Sequence, residues 1–198
     1  MELREAVARR RMVRNYRPDP VEPAVVTRIL DTARRAPSAG FSQGQRFVVV
    51  TDAATRRAIA DLGDEAHHVR EGFDPWMSTA PVHVVVCADE RAYRERYAAP
   101  DKGSTPPDEQ DWPVPYWHID AGASLMLLLL AAVDEGLAAG FFGSHRLEGL
   151  QELLGVPDGC HPIGVVTLGH PADDRRSGSL ARGWRDLEEI VHWQRWGS

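Results

Sequence analysis

Apolar residues at Val25, Val26, Ile29, Leu30 and Ala33 recur every three to four positions. That is the period of a helix with one buried face, and Pro37 stops the pattern. Residues 2–12 also read as helical and carry a run of arginines at their end. RFVVVTD (46–52) is β-branched and bounded by turn formers, which predicts a strand. Asp52 or Thr51 stands where a cap is needed for the next helix, AATRRAIADL. VHVVVCAD (82–89), entered from Pro81, predicts a second, buried strand, and PIGVVTLGHP (162–171) a third.

Residues 90–116 break the rhythm with five prolines and many charges, and read as an insertion, either a lid or a solvated excursion. HIDAGASLMLLLLAAVDEGLAAG (118–140) predicts a central helix that is apolar nearly all round, hence deep core or an oligomer interface. Gly122 and Ala123 would let another helix approach closely. Ser144 is a candidate cap for a short helix in RLEGLQELLG (146–155). The tail, 172–198, is basic at first and then amphipathic, and it holds three of the six tryptophans, which something must cover. Loosely alternating helices and strands predict one α/β or α+β domain with helices over a sheet.

Composition narrows the function classes. With 43% hydrophobic and 26% charged residues, the 198-residue chain can bury a core. Its net charge of −6 argues against general nucleic-acid binding. Cys87 and Cys160 make no disulfide framework, so reduced thiols are expected. The N-terminus shows no apolar signal region, and the longest apolar run, 125–133, is too short for a membrane span. A cytoplasmic protein without membrane or nucleic-acid partners is the expectation. His67, His68 and His118 show no ligand spacing with a cysteine, so no metal is expected.

Against the acidic whole, residues 9–17 (RRRMVRNYR) hold five of the 23 Lys and Arg side chains. On a helix, Arg10 and Arg14 would share a face, as would Arg11 and Arg14. Guanidinium forks match phosphate oxygens, so the cluster suits a phosphate monoester; the alternative is a solvated helix end near the negative pole of the helix dipole. A second stretch, RRAPSAGFSQGQRF (34–47), joins a helix to a strand through small residues. Gly40 and Gly44 permit unusual backbone angles and close approach of a flat ligand, and Ser38, Ser42 and Gln43 offer hydrogen bonds.

RRMVR (10–14), APSAGFSQGQRF (36–47), DEGLAAGFFG (134–143) and LGVPDGCHPIGVVTLGHP (154–171) together, in this order, resemble the nitroreductase family of flavin enzymes. The likeness runs from about residue 7 to 193, with 90–116 outside it. It implies an α+β fold, an intertwined homodimer, and FMN at the subunit interface with both chains contributing. Arg10, Arg11 and Arg14 would then hold the phosphate and the polar flavin edge, with Met12 among them in the cofactor site. Pro37, Ser38, Ala39 and Gln43 would line the ring and ribityl chain from the partner subunit. Phe142, Gly143 and Ser144 would face the flavin N5 and O4 edge. Arg182 or Arg185 would return from the tail to the phosphate.

The resemblance further implies an oxidoreductase that takes hydride from NADPH or NADH. By ping-pong exchange at one site, it would pass electrons to a nitroaromatic, quinone or similar small-molecule acceptor. His145, beside the flavin-edge loop, is a candidate proton donor. Met12 in place of serine, Phe41 in place of asparagine, and Gly44-Gln45 in place of proline-tryptophan alter the ring's surroundings, not the phosphate grip. Similar proteins dehalogenate aromatics, oxidise dipeptides or cleave flavin itself. A flavin storage or sensor protein, or an apo scaffold, is the rival from another class.

Overall fold

The structure, a computed structural model, describes every residue except 104, 144–146, 176 and 198. In chain order the described elements are α1 (Leu3–Arg9), α2 (Pro23–Ala33), β1 (Gln45–Val50), α3 (Ala53–Leu62), α4 (Glu65–Arg70), α5 (Trp76–Thr79), β2 (Val82–Asp89), α6 (Glu90–Tyr97), α7 (Tyr116–Asp134), β3 (Ala138–Gly143), α8 (Leu150–Leu154), β4 (Cys160–Gly169) and α9 (Leu187–Ile190). The four strands form one antiparallel sheet in the order β1-β2-β4-β3, which gives the α+β class.

Strand periodicity divides the core. Val84 and Val86 of β2, with Val166 and Leu168 of β4, pack against Ile29 of α2 and Ala121, Leu128 and Ala132 of α7. The alternate residues Val85, Cys87 and Val165 face Ile59 of α3 and Leu150 of α8. Buried on both faces, β2 is covered along its whole length and is mostly apolar, with His83 and Asp89 as its buried polar residues. Asp52 caps α3 as expected, its carboxylate accepting from the Thr55 amide at 2.8 Å.

Several boundaries differ from the sequence expectation. The expected helix over 118–140 ends at Asp134. Gly136 takes φ 76°, its amide donates to Val133, and the Leu137 amide donates to Ala132. This left-handed closure lets AAGFFG turn back as β3. By length and composition alone α7 is long and apolar enough to cross a membrane. Yet it buries Asp120 and Ser124 and packs on α2 and the sheet, as a core helix does. Residues 90–97, expected in the insertion, form α6, and Tyr93 lies fully buried in the main core. The excursion proper is 98–115. Helix α1 stops at Arg9, so the arginines beyond it are not helical.

Candidate active site

After α1 the chain runs extended along the free edge of β3. Met12 bridges Ala139 in parallel, and the Val13 amide donates to the Ala139 carbonyl at 3.0 Å. Gly140 permits this approach, since a Cβ there would lie 2.5 Å from the Val13 carbonyl oxygen. Tyr16 clamps the segment from behind, its hydroxyl 3.0 Å from the Val13 carbonyl and 2.7 Å from Thr167 Oγ1. Burial is the main cause that raises the Tyr16 pKa, so the phenol stays protonated. The sharing of a face by Arg10 and Arg14 thus follows strand alternation, with Met12 between them, and not helical spacing.

Arg9, Arg10, Arg11, Met12 and Arg14 line a cavity of about 710 Å³ whose opposite wall is the tail: Ser177, Ser179, Leu180 and Trp184. The two ends of the chain therefore meet there. Arg10 Nε is buried with no hydrogen-bond partner among the described residues. A buried guanidinium N–H left unpaired costs a few kcal/mol, on the order of 1–3, which an oxyanion in the cavity would relieve. Arg11 differs, because its Nη1 pairs at 3.1 Å with Asp174, a carboxylate whose side chain is only 2% exposed.

Arg14 also borders a second cavity, of about 320 Å³, formed with His68, Trp76, Phe142 and Gly143. Its guanidinium lies 5.6 Å from the Phe73 ring centroid and 6.0 Å from that of Trp76. The Trp76 indole N–H is buried and has no partner among the described residues. Beneath Phe142 sits His83, fully buried, with Nε2 2.6 Å from the Met77 carbonyl. Burial pushes its pKa down to about 4, so it is neutral near pH 7 and Nε2 donates. A charged end with an orphaned donor and an aromatic end with another suit one ligand that is anionic at one terminus and flat and polar at the other.

The loop 36–43 is built differently. Gly40, Phe41 and Gln43 all have positive φ, at 61°, 57° and 51°. Two non-glycine residues there mark a strained turn held by its surroundings. Ser38 Oγ accepts from the Gln43 amide at 2.9 Å, and Ser42 Oγ donates to the Ala39 carbonyl at 2.7 Å. Arg96 donates to the Gly40 carbonyl at 2.9 Å. Asp120 Oδ2 accepts both the Ala39 amide (2.8 Å) and the Tyr93 hydroxyl (2.7 Å), which ties the loop to α7 and α6.

Among the expected site residues, Arg10, Arg11, Met12 and Arg14 come together, and Arg14 joins them to Phe142 and Gly143. Within the single chain, Pro37, Ser38, Ala39 and Gln43 do not line either arginine cavity; Ala39 borders a different one. Arg182 and Arg185 are exposed and outside both, Arg185 lying 3.6 Å from Glu189. Ser144 and His145 fall outside the described residues. Trp76 and Leu180 carried no mark in the sequence; His68 stood out there only as a candidate metal ligand, and Trp184 only as a tail aromatic in need of cover. The sequence reasoning also passed over Asp120, which did carry a signal, as the lone charge inside the apolar body of its helix.

The sequence profile of the Nitroreductase family matches residues 7–170. The chain belongs to the nitroreductase family. An NADH dehydrogenase of Thermus thermophilus is 29% identical over 98% of this chain and 97% of its own length. The FMN reductase [NAD(P)H] of Bacillus subtilis is 28% identical over 87% of this chain and 67% of its own. The fold is shared with the NADPH:FMN oxidoreductase of Vibrio harveyi solved with NAD+, with a TM-score of 0.75 at 21% identity, covering 98% of this chain and 77% of that one.

Proposed function

We propose that this nitroreductase is an NAD(P)H-dependent FMN oxidoreductase that reduces nitroaromatics, quinones or similar electron-poor acceptors by ping-pong exchange. The observation that carries the reading is the buried Arg10 Nε, without a hydrogen-bond partner among the described residues, beside an arginine-rich cavity bordered by the opposite end of the chain. The residues present fit FMN. Its phosphate carries roughly two negative charges, and Arg10 and Arg14 lie where they can neutralise them. Trp76 and the backbone near Gly143 would meet the polar edge of the ring. FMN, when bound, supplies two-electron hydride chemistry that no side chain offers.

The protein's part is position and electrostatics. Arg14, held over Phe73 and Trp76, sets positive charge where a reduced ring would need it. Leu180 and Trp184 border the phosphate end but are themselves exposed, so they would close it from water only once a second copy covers them.

The reading includes a homodimer. The tail presents Trp184, Trp193 and Trp196 at 92%, 71% and 89% exposure, and α7 presents Ile119 and Met126. Soluble monomers rarely leave such surface bare, and a second copy would cover it while adding its own loop 36–43 to the site. Purified protein should be yellow and should bleach when NADPH is added without oxygen. Arg10→Gln should lower FMN affinity about ten- to a hundredfold, the loss of one or two charge-assisted bonds. Protein with no bound flavin and no uptake of added FMN would overturn the proposal.

A further inference from the structure

A third cavity, of about 770 Å³, opens between Ala39 and the excursion after α6. Its walls are aromatic. The Tyr97 and Trp112 rings meet edge to face, with centroids 4.8 Å apart, and Tyr116 continues the wall 6.3 Å from Trp112. Ring faces carry negative charge density and attract cations. The fold already uses that attraction here, with Lys102 Nζ 5.5 Å from the Tyr97 ring centroid.

Charge on the lining points the same way. Glu109 and Asp111 border the cavity as exposed carboxylates, with no ion pair among the described residues. Among the described residues Lys102 is the lone cation of the lining, so their formal balance is one positive against two negative. The cavity at the chain ends is opposite in character, lined by Arg9, Arg10, Arg11 and Arg14. One molecule thus offers an anion site and, separately, an aromatic box with an acidic rim. Ala39 borders the box, and its amide is fixed by Asp120.

We propose that this box binds the acceptor and selects aromatic compounds bearing a positive charge over their anionic counterparts. The proposal rests on the oxidoreductase and homodimer readings above for the word acceptor, since only the loop 36–43 of a second copy would bring this box beside a bound flavin, but the binding preference stands without them. For a nitroaromatic, the step is reduction to the nitroso compound: NADPH and one proton supply two electrons and two protons, one N–O bond breaks, and one water leaves.

The test uses three ligands that share a nitrophenyl ring: (4-nitrobenzyl)trimethylammonium, 4-nitrobenzyl alcohol and 4-nitrobenzoate. Affinity is read from quenching of tryptophan fluorescence, and turnover from NADPH oxidation. The cation should bind about tenfold or more tightly than the anion, with the alcohol between. The Glu109→Gln/Asp111→Asn double variant should reduce that ratio to about twofold, and Lys102→Gln should widen it. Ratios are properties of the folded molecules alone, so partial unfolding does not mimic the result. Equal affinities for the three ligands, or a ratio unmoved by the double variant, would overturn the proposal. Binding in the expected order without NADPH oxidation would support the box and count against the oxidoreductase reading.

Discussion

Replacing Asp120 by alanine removes one oxygen that two buried donors share. The Tyr93 hydroxyl, fully buried, and the Ala39 amide, part-buried, both point at Oδ2. Each donor left unpaired costs about 1–3 kcal/mol, so Asp120→Ala should lower the unfolding free energy by roughly 2–5 kcal/mol. That is a large share of the 5–15 kcal/mol typical of a domain, yet survivable. Asp120→Asn keeps an acceptor and loses charge assistance, with an expected cost of about 1–2 kcal/mol. Tyr93→Phe removes one donor, so the Asp120→Ala/Tyr93→Phe double variant should be less destabilised than the sum of the singles by about 1–3 kcal/mol. The assay is urea unfolding at fixed protein concentration, followed by far-UV circular dichroism. Strict additivity, or an alanine variant within about 0.5 kcal/mol of wild type, would refute the shared-acceptor reasoning.

Gly140→Ala should press on the Val13 carbonyl, destabilise the protein and weaken FMN binding together; a variant with unchanged flavin affinity would show that the edge contact does not place the arginines. His83 is held neutral with a pKa near 4, below its ordinary 6.5, so the unfolded chain takes up a proton first as pH falls. The stability it contributes is full above about pH 6.5 and is lost towards pH 4, up to roughly 3 kcal/mol, and His83→Gln should flatten the urea midpoint across that window. Trp184→Ser with Trp196→Ser should raise the dissociation constant of the proposed dimer in sedimentation equilibrium; an unaltered constant would remove the tail from the proposed interface.

Local pattern carried much of this fold. The Val-rich run at 82–89 and the Asp52 cap depend on neighbours in sequence, and both appear as expected. The end of α7 was hidden because Leu137, Ala138 and Ala139 continue its apolar pattern, while Gly136 stops it by a left-handed closure that periodicity does not register. The arginine cluster was legible as a candidate anion site, but its backbone was not. The edge of β3, far away in sequence, holds residues 12–13 extended, with Tyr16 behind them. Arg11 looked equivalent to Arg10 until the fold brought Asp174 beside it. Trp76 and His68 enter the site through tertiary packing, with no local signal to place them there.

The phosphate grip is the centre of the account, and it can be isolated by comparing FMN with riboflavin, which lacks only that group. Titrated against flavin-free protein by fluorescence quenching, FMN should bind at least about a hundredfold more tightly, and Arg10→Gln with Arg14→Glu should erase most of the difference. Equal affinity for the two flavins, or a preference untouched by the double variant, would contradict an anion held between the first extended segment and the tail.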